Sequence, residues 1–256
     1  MTPITTNILR EHYERNDYSF GNPGAFYTIC IVGSCRIVPI LNYFRAYNDL
    51  NGSPFELVCL NPVEMWKGPG TDIADCASER LKDYRFNHVD TLICESLKHC
   101  GPLNTFEDEP QNVFTSLKCN AETILRIPNW HGMLFYDVEV EHYNKEYAAL
   151  SHVDRISMLR TITTLYKTKF LNRCIKSSFP ELSQWTEDNW LTTRMGWTSE
   201  HVCRNLSWKY FELICRDMGL TITRELAEHP LCVMDSYAAT GAIIRDLDRE
   251  ANNWKY

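Results

Sequence analysis

Apolar positions along this chain follow two patterns. In the first half they come as short, nearly unbroken runs: "FYTICIV" (26–32), "FELVCL" (55–60), "DTLICE" (90–95) and a weaker "TILRI" (123–127). Runs of this length, rich in β-branched and aromatic residues and without polar alternation, predict strands buried on both faces of a parallel sheet. Helix-length segments lie between them, Arg36 to Asn48, Asp72 to Tyr84 and Glu109 to Cys119, with turns at "NGSP" (51–54) and "KGPG" (67–70). That alternation predicts βαβ units with right-handed crossovers, hence an α/β protein with an open, flavodoxin-like parallel sheet and helices on both faces. From Glu146 onward the spacing turns helical. Ile156, Leu159, Ile162, Tyr166 and Phe170 share one face; Val202, Leu206, Tyr210, Leu213 and Asp217 share another, on a helix that Gly219 closes. No Ser/Gly/Pro-rich linker separates the halves. The expectation is a single domain over 1–256: an N-terminal arm (1–23), an α/β sheet core (24–140) and a mainly helical remainder (141–256).

Composition narrows the function classes. With 44% hydrophobic and 23% charged residues the chain reads as globular, and no apolar run approaches the roughly 18 residues that cross a bilayer. The polar start "MTPITTNILREHYERNDYSFGNPG" lacks an apolar signal core, so a cytoplasmic location is expected. A net charge of −7 argues against broad contact with a nucleic-acid backbone. Eleven cysteines raise the questions of disulfides and zinc. No CxxC or CxH spacing occurs, so no metal is expected, and Cys30, Cys59 and Cys94 sit inside strand-like runs as core thiols.

One cysteine is placed differently. "GSC" ends the first strand, which is usually central in open sheets, and ligands bind beyond the carboxyl ends of such strands. Gly33 permits a tight turn, and Cys35 opens the following helix, where N–H groups and the positive dipole end favour a thiolate. The backbone N–H groups of Cys35 and Arg36 can also hold an oxyanion. Ser34 shares the corner and is counted with it. The competing reading is that Cys35 is a small packing residue; a phosphate loop would need more glycines than "VGSCR" holds.

Three segments carry a family resemblance: "IVGSCRIVPIL", "VDTLICESLKHCGPLNT" and "RMGWTSEHVCRNLSWKYFELICRDMGL", with "RIPNWHGMLFY" between the last two. Together they resemble the WcbI-type polysaccharide-biosynthesis family, which is SGNH-hydrolase-like, with Cys35 where SGNH enzymes carry serine. The chain has Ser34-Cys35-Arg36 where the family tends to have Asn-Cys-Gln, Glu95 where it has glutamine and Val202 where it has proline. The resemblance implies an SGNH-like sheet and acetyl transfer from acetyl-CoA to a sugar hydroxyl or amine.

A thiol nucleophile needs a base. His201, in "WTSEHVC", matches the family histidine; His131, after the fourth strand, is a binder or substitute base. The resemblance places an oxyanion-hole side chain in the loop holding Ser96 and Asn104, and Glu95 either positions a hydroxyl, pairs with Arg36 or simply ends its strand. Arg36 and Arg194 are candidates for the coenzyme A phosphates, with Gly33, Asn104 and His131 around the ligand. The expected partners are acetyl-CoA and a sugar or glycan acceptor, and a homo-oligomer is compatible. Two rival functions stay open: an SGNH-like esterase or deacetylase using water, and a CoA- or nucleotide-binding module without chemistry.

Overall fold

Each apolar run read as a strand is one. In the computed structural model, which describes residues 19–21, 27–33, 35–60, 89–95, 121–130, 136–196, 201–233 and 243–256, β1 (Ser19–Gly21), β2 (Tyr27–Val32), β3 (Phe55–Leu60), β4 (Val89–Glu95) and β5 (Ala121–Ile127) form one sheet. Its strand order is β1-β3-β2-β4-β5. β2 pairs in parallel with β3, from Tyr27↔Phe55 to Val32↔Leu60, and with β4, from Ile29↔Thr91 to Val32↔Cys94. This is an open α/β sheet with β2 in the middle. Its unbroken apolar character follows: Ile29, Cys30, Ile31 and Val32 are fully buried, as is every residue of β4. The polar members of β4 are satisfied in place. Asp90 accepts from the Thr28 N–H at 2.5 Å, and the Thr91 and Tyr27 hydroxyls lie 2.7 Å apart.

The edges differ from the centre. β5 exposes Glu122 and Thr123, which is why its pattern is weak in the sequence. At the other edge β1 runs antiparallel to β3, Ser19↔Val58 to Gly21↔Glu56. This strand lies within the polar arm, and three residues are too few to show a period. The expected helices at Asp72 to Tyr84 and Glu109 to Cys119 lie outside the described residues.

A 3₁₀ turn (Cys35–Ile37) leads straight into α1 (Val38–Asn51). Pro39 stands in the first turn of α1, where no N–H is needed. The return to the sheet is held by Asn48, whose amide donates to Phe55 O (2.9 Å) and accepts from Phe55 N–H (3.1 Å).

The chain divides into two compact units, Met1–Ile37 with Phe44–Leu125, and Val38–Tyr43 with Arg126–Tyr256. In the first, Phe55 is ringed by Tyr27, Phe44 and Tyr47 at 5.7, 6.0 and 5.5 Å between centroids. The second contains α2 (Asp137–Tyr143), α3 (His152–Ile175), α4 (Leu182–Asn189), α5 (Arg204–Asp217), the short α6 (Arg224–Glu228) and α7 (Pro230–Val233), and α8 (Asp246–Asn252). Along α3 the buried positions are Leu159, Thr163, Phe170 and Cys174, while Ile156, Ile162 and Tyr166 are half-buried. On α5, Leu206, Tyr210 and Leu213 are buried, and Tyr43 packs there, its ring 5.1 Å from Trp208 and its hydroxyl 2.8 Å from that of Ser207. Gly219, at φ +68°, closes the helix: its N–H bonds Arg216 O and the Leu220 N–H bonds Cys215 O at 2.8 Å. Val202 precedes α5, in an isolated antiparallel bridge with Gly196.

Candidate active site

The strand order locates a crevice. From β2 the chain moves to β3 on one side; β4 then lies on the opposite side of β2, with β5 beyond it. Connections that diverge this way leave an opening between the carboxyl ends of β2 and β4, where open α/β sheets bind ligands. Gly33 follows the last residue of β2, Glu95 ends β4, and Cys35 begins the next turn.

Gly33 is required here for space. A Cβ at this position would stand 2.5 Å from Ile37 Cγ2, 2.9 Å from Glu95 Cβ and 3.1 Å from Glu95 Oε2. The backbone therefore passes directly over the Glu95 side chain before turning into the helix. Arg36, one residue into the turn, reaches the same carboxylate: its Nη1 is 3.3 Å from Glu95 Oε1, with the two side chains 7% and 1% exposed. A charge pair this deep is kept only where both ions hold partners, because unpaired burial is very costly. Of the roles open to Glu95, pairing with Arg36 is realised. Gly33, Arg36 and Glu95 are thus brought together beside the backbone of Cys35.

The Cys35 backbone opens a helical run continuing through Asn51. The first N–H groups of such a run have no partner within it and carry the positive end of its dipole. Among the other described cysteines Cys203 also stands at a helix start, as the N-cap of α5, and burial is what all of them share. Cys30, Cys59, Cys94, Cys174, Cys203, Cys215 and Cys232 are free thiols, all buried. Burial pushes the thiols of Cys174, Cys215 and Cys232 up to about 12, and raises that of Cys30 further.

His201 and Arg194 belong to the second unit and flank one bridge. Gly196 pairs with Val202, and the Cys203 N–H donates to Met195 O at 2.9 Å, so His201 is held half-buried just before α5. Gly196 admits the Trp130 indole, which a Cβ would meet at 2.6 Å. Arg194 donates from Nε to Gly196 O at 3.0 Å and lays its guanidinium 5.0 Å from the Tyr136 ring centroid. The Tyr136 hydroxyl also donates to Gly196 O, and burial raises its pKa. Ser34, Asn104 and His131 lie outside the described residues. Among the described residues no group of His, Cys, Asp and Glu is arranged to hold a metal, and no helix is long and apolar enough to cross a membrane.

No family model and no curated protein matches this chain. A solved structure does: that of WcbI, described as a polysaccharide biosynthesis enzyme, in a native form without a disulfide bond between coenzyme A and one of its cysteines. The two superpose with a TM-score of 0.57 at 10% identity, over 90% of this chain and 80% of that one. The chain shares its fold with WcbI. At this identity the likeness is one of architecture alone.

The contacts of Tyr136 and Trp130 to Gly196 are missed by sequence reasoning. Gly196 lies some 60 residues away along the chain, and no local pattern announces such a pairing. Trp130 is core: 1% exposed and edge-on to Phe170 at 5.0 Å.

Proposed function

We propose that the chain is a CoA-dependent acyltransferase, moving an acetyl group from acetyl-CoA to a hydroxyl or amine of a sugar in glycan biosynthesis. The observation that supports this best is the position of Cys35, first residue of the helical run after the central strand, beside the opening between β2 and β4. The fold likeness to an enzyme described together with coenzyme A and a cysteine adds to it.

In this reading the Cys35 thiolate attacks the acetyl carbonyl of acetyl-CoA. A new C–S bond forms, the old one breaks, and CoA leaves as its thiolate. The oxyanion passing through that step is held by the Cys35 and Arg36 N–H groups, with Ser34 in the same corner. The acceptor hydroxyl then gives its proton to His201 as its oxygen attacks the thioester, and Cys35 is released. The role of His201 rests on its place in the chain order and on the family resemblance. Arg36 is the basic residue proposed to face the CoA moiety, held by Glu95.

Intact-mass analysis after mixing with acetyl-CoA tests the reading: one acetyl group should appear on Cys35, with an equivalent of CoA released. Cys35→Ser should abolish turnover, and His201→Ala should slow transfer by roughly 10²–10⁴-fold, with His131→Ala milder. Iodoacetamide at neutral pH should label Cys35 ahead of the seven buried thiols, and CoA should protect it. Release of free acetate at the same rate with and without a sugar would make the protein an esterase. CoA binding without an acetyl-enzyme or turnover would make it a binding module.

A further inference from the structure

Within the second unit, distant parts of the chain converge on one backbone carbonyl, that of Gly196. The hydroxyl of Tyr136, the residue before α2, donates to it, and so does Arg194 Nε at 3.0 Å. A carbonyl oxygen has two lone pairs, so both are taken up and the plane of that peptide group is fixed. Trp130 occupies the space where a side chain would stand, 2.6 Å from an added Cβ. On the remaining side Gly196 pairs with Val202, through the bond of the Cys203 N–H to Met195 O at 2.9 Å.

The two donors are themselves held. The Arg194 guanidinium lies 5.0 Å from the Tyr136 ring centroid, a cation–π distance. Tyr136 is buried, and the Trp254 ring packs on it with centroids 5.7 Å apart. Trp254 stacks in turn on Tyr256, and the Lys255 N–H bonds Leu191 O at 2.8 Å, so the segment after α8 is fastened where it meets Tyr136. A buried tyrosine needs some acceptor for its hydroxyl. Here the hydroxyl goes to a carbonyl that Arg194 already satisfies, so the second bond is not needed to pair the oxygen. What it adds is rigidity at that peptide group.

The rigid point is the foot of the segment that carries His201. That residue directly precedes Val202 and so stands one position from the bridge, half-buried. The Cα–Cβ direction of a side chain follows its backbone, so a tilt of the bridge swings the imidazole. A displacement of about 1 Å can lower a rate by about 10²-fold, and a base acts well only when another group keeps it oriented. We propose that Tyr136 and Arg194 are positioning residues: through the Gly196 carbonyl they set the direction of the His201 imidazole. The inference rests on the reading of His201 as the base. In this role Arg194 acts on the protein's own backbone, not on a CoA phosphate.

Two measurements on the whole chain test it, one of the ring and one of the rate. In NMR spectra of histidine-labelled protein, the His201 signal is the one that disappears in His201→Ala. It should shift or broaden in Tyr136→Phe, which deletes one oxygen from the clamp. The same is expected of Arg194→Lys, which keeps the positive charge but loses the Nε donor. The signal of His152, exposed on α3 and 3.1 Å from Glu250, should stay in place. In acetyl transfer kcat should fall roughly tenfold in either variant, with the KM for acetyl-CoA unchanged. A role in packing alone would lower the melting temperature and leave the His201 signal and kcat as they were. Arg194→Lys, at a half-buried position, serves if Tyr136→Phe does not fold. An unmoved His201 signal in the folded variants overturns the proposal, as does a rise in KM that accounts for the whole loss of rate. A moved signal with full transfer by His201→Ala would uphold the positioning and sink the reading of His201 as the base.

Discussion

Arg36 and Glu95 meet as a buried ion pair, 3.3 Å from Nη1 to Oε1, tying the helical corner after β2 to the carboxyl end of β4. They are 59 positions apart in sequence, yet their strands are neighbours in the sheet. The pair stiffens the two lips of the crevice at the point where the Cys35 backbone enters its turn.

Breaking that pair should cost more than deleting it. Glu95→Ala leaves a guanidinium buried without its carboxylate, and about 3–5 kcal/mol of stability should be lost. Replacing both partners with apolar residues of similar size, Arg36→Met with Glu95→Leu, should restore much of the loss. Urea unfolding of the two single variants and the double variant measures this. A double variant as unstable as the sum of the singles would show that the pair does not act as a unit.

Gly33→Ala is predicted to be damaging although the change is one methyl group. The new carbon would stand 2.5 Å from Ile37 Cγ2 and 2.9 Å from Glu95 Cβ, so β4 or the corner must shift. A loss of about 1–3 kcal/mol is expected, with a matching change in the iodoacetamide rate at Cys35, since the same backbone carries both. Thermal melting and labelling kinetics on one variant read the two effects together; an unchanged melting temperature would contradict the packing argument.

Asp248 makes stability depend on pH. Its carboxyl is fully buried in α8, accepts N–H bonds from Asp137 (2.6 Å) and Arg245 (2.9 Å), and shares its surroundings with the carboxylate of Asp137, the guanidinium of Arg245 and the hydroxyl of Tyr147. Burial pushes its pKa up to about 6, outweighing the two N–H bonds and Arg245, which act in the other direction. A carboxyl that ionises later in the native than in the unfolded state binds its proton more tightly when folded. Its contribution is full below the ordinary carboxylate range and declines as pH rises through about 6. The stability difference between the wild type and Asp248→Asn should accordingly shrink between pH 4 and pH 6 and level off above. Denaturant melts across that range check it, and a difference that grows with pH would reverse the assignment.

The sequence by itself determined the strands and the class of fold. A buried parallel strand must be apolar on both faces, so β2, β3 and β4 announce themselves within a few residues, and the glycine and cysteine that follow β2 mark its end. Helix α5 and its Gly219 stop were legible for the same reason: periodicity and a left-handed cap are local properties. Of the edge elements, β1 was not, because it has only three residues, and β5 showed only weakly, because it is half exposed. The site was legible as a corner and not as a constellation. That Glu95 would lie beneath Gly33 and pair with Arg36, and that Arg194 would rest on Tyr136, depend on which strands and helices become neighbours. Local patterning sets the conformation of a segment through forces acting over a turn or a strand. Contacts between residues 60 or more apart, such as the Tyr136 hydroxyl on Gly196 O, are settled only when the hydrophobic faces of those segments are buried against one another.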